Sequence, residues 1–225
     1  MQHMTNLPLP FENLNKPLQE QLNAEAKTVT ITKGETPFLS DELTKHVYVV
    51  KEGKIKSYQM NLNNGKEQTI YIYRKNNIFD TVTLLDGESH DVCYEVLENT
   101  TLLMFPIDFV RDLLYKYPDF SQKFYLYLAR QMRYLEEMLT DMSLYSTSER
   151  LIKLIVQDFQ PGNLFRFNIL EGLSHTETAK LLGTVRHVVE RHLRELKNEH
   201  IIDIVNRKIN ILESEKLLHK IKLLS

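Results

Sequence analysis

The feature that most constrains this chain is a change of grammar at Pro106. Before it, alternating or β-branched residues come in short runs, at Thr28–Thr32, Val47–Val50, Ile55–Met60, Gln68–Tyr73, Val92–Leu97 and Thr101–Phe105. Turn signals separate the runs at Lys33-Gly34, Glu52-Gly53, Asn63-Asn64-Gly65 and Asp86-Gly87. Short strands punctuated this way predict an antiparallel β-roll or sandwich. After Pro106 the apolar period lengthens to that of helices, first over Ile107–Tyr117, then over a longer stretch that begins near Pro118. Ahead of the β region, up to Ala26, one or two short helices are predicted, with Pro17 at a first helical turn.

Heptads read along the long helix put Leu128, Leu135 and Met142 at a positions and Phe124, Gln131, Met138 and Tyr145 at d positions. This narrow stripe is read as a two-helix seam between copies of the chain, with a helix packed on its own roll as the alternative. Ser146-Thr147-Ser148-Glu149 then breaks the pattern and starts another helix with capping-box spacing. Leu151, Leu154, Ile155 and Phe159 form its apolar face, and Pro161-Gly162 ends it. The predicted organisation is α+β: a roll with flanking helices over 1–117, a dimerisation or linker helix over 118–146 and a separate domain over 147–225.

That last domain has a pattern of its own. Ser174 is placed as an N-cap with Glu177 three residues on, Gly183 stops the short helix, and a second helix runs from Val185 to Asn198. Ala179, Gly183 and Val189 keep helix-turn-helix spacing: a small residue at the contact, a glycine at the turn, a β-branched residue returning to the core. The second helix buries Val189, Leu193 and Leu196 and turns out Arg186, His187, Glu190, Arg191 and Arg194. Arginine pairs bidentately with guanine and glutamate accepts from cytosine N4, so this stripe suits a duplex major groove. A solvated face of Glu–Arg pairs is the plainer alternative. Ile201–Val205 and Lys208–Leu212 read as two strands about Asn206-Arg207, a wing whose Arg207 and Lys208 would reach phosphate. Ser174 and His175, at the start of the first helix, complete the candidate DNA-contacting set.

Composition removes other classes. One cysteine, Cys93, leaves no disulfide framework and no four-cysteine zinc or iron–sulfur site within the chain. No run approaches a membrane span, and Met1–Leu14 lacks the basic start and apolar core of a secretory signal, so a cytoplasmic location is expected. The net charge of −2 divides unevenly: 13 Lys/Arg against 10 Asp/Glu from Ser146 onward make that part +3 and leave −5 for residues 1–145. This modest asymmetry permits nucleic-acid binding without establishing it. A His90–Cys93 base–nucleophile pair is disfavoured because strand residues three apart face opposite sides. His187 and Glu190 share a helical face, but His192 points elsewhere, so no metal site is expected. With neither a phosphate loop nor a nucleophile elbow, no catalytic residues and no enzymatic activity are expected.

From about Lys27 to Leu218 the chain resembles the Crp/Fnr family of bacterial transcription regulators. In the roll, Tyr48-Val49-Val50-Lys51-Glu52-Gly53-Lys54-Ile55, Asn64-Gly65-Lys66-Glu67 and Leu102-Leu103-Met104-Phe105-Pro106 carry the likeness. In the C-terminal half it rests on Ser148-Glu149-Arg150-Leu151, Ser174 to Leu196, and Ile201-Ile202. The string from His175-Thr176 through Arg186-His187 is similar to YeiL-type members. The resemblance implies a cyclic-nucleotide-binding-like, jelly-roll-type domain, a long dimerisation helix and a winged helix-turn-helix. It further implies a homodimer on a two-fold-related site in double-stranded DNA, with RNA polymerase as a further partner.

Two departures shape the expected chemistry. Where the family's cyclic-nucleotide cassette has Gly-Glu before two leucines and Arg-Ser after, this chain has Asp80-Thr81 before Leu84-Leu85 and His90-Asp91 after. The arginine that would meet a cyclic phosphate is absent and two aspartates would repel it, so control by cyclic AMP is not expected. Asp80, Thr81, His90 and Asp91 are the candidate effector pocket, for an unknown small molecule or for none. In the recognition helix, the usual Glu is His187 and the usual small residue is Glu190, so the family's familiar target sequences are not assumed. These changes also leave open a sensor or interaction protein of the same fold that has lost sequence-specific DNA binding. No cofactor is expected; haem, for which His90, Cys93 or Met104 would be ligands, is the least remote.

Overall fold

The computed structural model describes residues 11, 14–36, 40–89, 91–160, 165–166, 168–205 and 208–222. The chain divides into two units, residues 1–57 with 72–133 and residues 58–71 with 134–225.

The β-branched and aromatic runs pair as two sheets. One has the order β1–β7–β2–β5, from β1 (Lys27–Ile31), β7 (Thr100–Pro106), β2 (His46–Glu52) and β5 (Ile78–Phe79). Its pairings are antiparallel, with Val29 opposite Leu102 and Tyr48 opposite both Met104 and Phe79. The other has the order β4–β3–β6, from β4 (Glu67–Arg74), β3 (Lys54–Met60) and β6 (Cys93–Val96). Because side chains alternate along a strand, Tyr48 and Phe79 point to the face that meets the second sheet. Phe79 stacks on Tyr48 with ring centroids 5.1 Å apart and meets Tyr73 of β4 at 5.6 Å and Tyr94 of β6 at 5.4 Å. This aromatic layer is the roll's centre. The opposite face of the first sheet presents Val47, Val49 and Phe105, and Phe11 stacks on Phe105.

Helices close the first unit. In α1 (Lys16–Glu25), Asn15 caps the start by accepting from Leu18 N at 3.0 Å and Pro17 sits in the first turn; Leu18 and Leu22 are buried. α4 (Ile107–Lys116) buries Ile107, Val110 and Leu113. α5 (Pro118–Leu144) follows, and Tyr127 on it both accepts from Ile78 N and donates to Ile78 O, which pins β5. All six strands expected from sequence are present, with ends shifted by one or two residues. Two four-to-six-residue helices, α2 (Ser40–Leu43) and α3 (Thr81–Asp86), and the two-residue β5 are additions, too short to leave a periodic signal.

In the second unit, α6 (Thr147–Asp158) begins with the predicted capping box: Glu149 N donates to the Ser146 hydroxyl, and the Glu149 carboxylate returns to Ser146 N. α7 (His175–Leu181), α8 (Arg186–Asn198), the antiparallel pair β8 (Ile202–Val205) and β9 (Lys208–Ile211), and α9 (Ser214–Lys222) complete it. Leu151, Leu154, Ile155, Ala179, Leu182, Val189, Leu193, Leu196, Ile202 and Leu217 form its core. Pro161-Gly162, expected to end α6, lies outside the described residues. The fold is thus α+β, with an antiparallel roll, a long helix and a winged helix-turn-helix. Among the described residues no helix is long and apolar enough to cross a membrane, and no group of three or more His, Cys, Asp or Glu is arranged to hold a metal ion.

Candidate nucleic-acid interface

The turn between α7 and α8 follows from three local choices. Ser174 caps α7 by accepting from Glu177 N at 3.1 Å. Unlike Glu149, Glu177 sends its carboxylate to Lys180, at 3.2 Å. Gly183 sits at φ +67°, where a side chain would be strained, and Thr184 N closes the turn on Ala179 O at 2.9 Å. Val185 then stands as an extended N-cap, so α8 starts at Arg186.

With Val189, Leu193 and Leu196 buried, the 3.6-residue period turns Arg186, His187, Arg191 and Arg194 outward, all exposed, with Glu190 half-buried beside them. Arg186 Nε donates to Glu190 Oε1 at 2.7 Å, and His175 Nδ1 lies 3.3 Å from the same oxygen. Hydrogen bonds from Arg186 and then His175 hold the Glu190 carboxyl below its ordinary pKa. Ser174, His175, Arg186 and Glu190 line one concavity of about 350 Å³. Arg191 reaches Glu195 only at 3.9 Å, while His192, expected to point elsewhere, bonds Glu195 at 2.9 Å. Among the described residues the side chains of His187 and Arg194 have no ion pair or hydrogen bond. On the wing, Lys208 is exposed and lies 3.5 Å from Glu171; Arg207 lies outside the described residues.

Two contacts that sequence reading missed anchor this motif from β4. Lys180 Nζ pairs with Glu67 at 2.7 Å, and Gln68 Nε2 donates to Leu181 O at 3.2 Å. The partners are more than 110 residues apart, and a strand pattern gives no sign of what its solvent-facing polar residues meet.

The candidate effector residues are not brought together at an open face. Asp80 and Thr81 are buried, Asp91 is exposed, and His90 lies outside the described residues. Asp80 adopts a left-handed conformation, φ 57°, at the start of α3 and accepts from the Thr83 hydroxyl at 2.9 Å. The Thr81 hydroxyl donates to Gln131 Oε1 at 2.7 Å. Of the haem candidates, Cys93 is exposed at the start of β6 and Met104 is half-buried on β7.

The seam expected on α5 needs correction. Phe124 is 0% and Gln131 7% exposed, because they lie on a stripe with Phe120, Tyr127 and Tyr134 that faces their own chain. A second apolar stripe, Tyr125, Leu128, Met132, Leu135 and Leu139, keeps three-four spacing on another face of the helix, and Met132 and Leu139 are 62% and 68% exposed. The sequence heptads straddled the boundary between the stripes. Of the remaining expected positions, Leu128, Met138, Met142 and Tyr145 are half-buried, and Tyr145 has the Lys153 ammonium over its ring.

A sensor-type roll joined to a winged helix-turn-helix with an arginine-rich second helix defines a DNA-binding regulator. Comparison with known proteins agrees. Residues 28–117 match the cyclic nucleotide-binding domain and residues 149–220 the Crp-like helix-turn-helix domain. The probable transcriptional regulator flp of Lacticaseibacillus casei is 27% identical over 218 residues, covering 96% of this chain and 98% of that protein. The global nitrogen regulator of Synechococcus elongatus is 25% identical over 184 residues, 80% of this chain and 82% of its own. The structure of FixK2 from Bradyrhizobium japonicum shares the fold at a TM-score of 0.74 and 20% identity, over 86% of this chain and 96% of that one. The chain belongs to the Crp/Fnr family of DNA-binding transcription regulators.

Proposed function

We propose that the protein is a sequence-specific regulator that binds as a homodimer to a two-fold-related DNA site, with one α8 in each of two successive major grooves. The observation that carries this reading is the outward face of α8: Arg186, His187, Arg191 and Arg194 are exposed while Val189, Leu193 and Leu196 hold the helix to its unit. Arg186, His187, Glu190 and Arg191 face the bases; Ser174, His175, Arg194, Arg207 and Lys208 meet the backbone. Contact with RNA polymerase follows from the family's role. Cyclic AMP is not the signal: where the family's cassette carries the arginine that meets a cyclic phosphate, this chain has His90, followed by Asp91.

Selection of bound sequences from randomised duplex DNA, with no added ligand, followed by anisotropy titrations at two salt concentrations, tests this. A two-fold-symmetric motif is expected. Retention of salt-dependent binding with no motif recovered would favour the alternative that base reading has been lost.

Glu190 tunes this face. Its carboxylate holds Arg186 through Nε. Glu190→Ala is expected to change the selected base at one position per half-site and to raise affinity for random duplex several-fold, since a negative charge leaves the interface. The same selection checks it.

The dimer is assigned to the outward stripe of α5. Leu139→Glu places a charge in that seam and is expected to raise the dimer dissociation constant about tenfold or more, roughly 1.4 kcal/mol. Sedimentation equilibrium reads the change, and Thr140→Glu, off the stripe, serves as the control.

A further inference from the structure

The roll holds a cavity that Asp80, Thr81 and Asp91 do not line. Its volume is about 450 Å³, within the range of small-molecule sites, and Val29, Ile31, Glu35, Glu42, His46, Tyr48 and Met104 line it. Register explains the wall: Tyr48 stands opposite Met104 and Val29 opposite Leu102, so Val29, Ile31, Met104, Tyr48 and His46 rise from one face of three adjacent strands. The wall is apolar apart from His46 Nδ1 and the Tyr48 hydroxyl. The rim is acidic, with Glu35 in the turn after β1 and Glu42 in α2, both exposed.

We propose that this cavity binds an organic monocation, a primary amine with an aromatic or branched aliphatic body, with the ammonium between Glu35 and Glu42 and the body against Val29, Ile31, Tyr48 and Met104. Charge complementarity decides the sign: two carboxylates and no lysine or arginine line the cavity among the described residues. A metal ion is disfavoured because His46, Glu35 and Glu42 do not close into a ligand cluster. Glu35 is fixed for the role, since its Oε2 accepts from Thr32 N at 3.0 Å and its backbone carbonyl accepts from Val96 N at 3.1 Å. Burial first, and then the Glu42 charge, push the Tyr48 phenol up to about 12, so it stays a neutral hydroxyl and adds no anion. His46 Nδ1 is buried without a hydrogen-bond partner, a group that a bound molecule can satisfy.

Isothermal titration calorimetry on the full chain, without DNA, uses 2-phenylethylamine with its neutral isostere 2-phenylethanol and the anion 3-phenylpropanoate. The amine is expected to bind one per chain, at least tenfold tighter than the alcohol, with no heat from the anion. Glu42→Gln, at an exposed position, is expected to weaken the amine about tenfold and to leave the melting temperature unchanged. Equal affinity for amine and alcohol, amine binding that survives both Glu35→Gln and Glu42→Gln, or no binding at millimolar amine would each overturn the assignment. Because no DNA is present, any of these leaves the reading of α8 untouched.

Discussion

Arg191→Ala is expected to weaken binding to the selected site by roughly 1–3 kcal/mol per half-site, and so by about twice that for a dimer on both halves. The position explains the size. Arg191 lies one turn and a half along α8 from Arg186, on the exposed face, and its nearest carboxylate is Glu195 at 3.9 Å. A solvent-exposed pair at that distance is weak, so the guanidinium can leave it for a base edge and its removal hardly affects folding. Arg194, a further turn on, is assigned to phosphate. Arg194→Ala should weaken selected and random duplexes alike and reduce the slope of log affinity against log salt by about one per half-site, so by about two for the dimer. Anisotropy titrations of both variants on both DNAs distinguish the two roles. Equal losses for Arg191→Ala on selected and random duplex would refute base reading by that residue.

What the sequence made legible was local. Six strands of the roll, the capping box at Ser146 and the burial of Val189, Leu193 and Leu196 follow from alternation, caps and helical period, each written within a few residues. Features set by distant partners did not show. The polar start of β4 reads as an ordinary strand face, yet Glu67 and Gln68 brace α7 through Lys180 and Leu181. On α5 two apolar stripes share a 27-residue helix, and a heptad frame drawn through Phe124 and Leu128 mixes the inward stripe with the outward one. Only the packing of Phe124 and Tyr127 against the roll separates them. The cassette was legible as a departure from the family, but not as to its consequence: Thr81 turns its hydroxyl to Gln131, fifty residues away. The Glu35–Glu42 cavity left no motif, since its wall is assembled from three strands that are not consecutive in sequence.

The second large effect concerns stability rather than DNA. Asp141, near the end of α5, is 4% exposed, and its carboxylate takes both the Lys153 ammonium of α6 and, at 3.6 Å, the Arg166 guanidinium, whose side chain is 6% exposed. Arg166 also lies over the Tyr134 ring at 5.0 Å, and the Tyr134 hydroxyl donates to Ile70 O at 3.0 Å. Lys153 is partly exposed and can turn to water if the carboxylate is lost; Arg166 cannot. Asp141→Ala therefore takes a carboxylate away from a buried guanidinium, a change expected to cost about 3–5 kcal/mol, a large part of a typical domain's total stability. Urea unfolding of the full chain, followed by far-ultraviolet circular dichroism, is expected to show the midpoint falling with little change in slope. The second substitution Arg166→Met removes the buried guanidinium as well, so the double variant should recover a good part of the loss. If Asp141→Ala costs less than about 1 kcal/mol, or if Arg166→Met deepens the loss, the triad is not what joins α5, α6 and the Arg166 segment, and the apolar contacts of Tyr134 carry that junction instead.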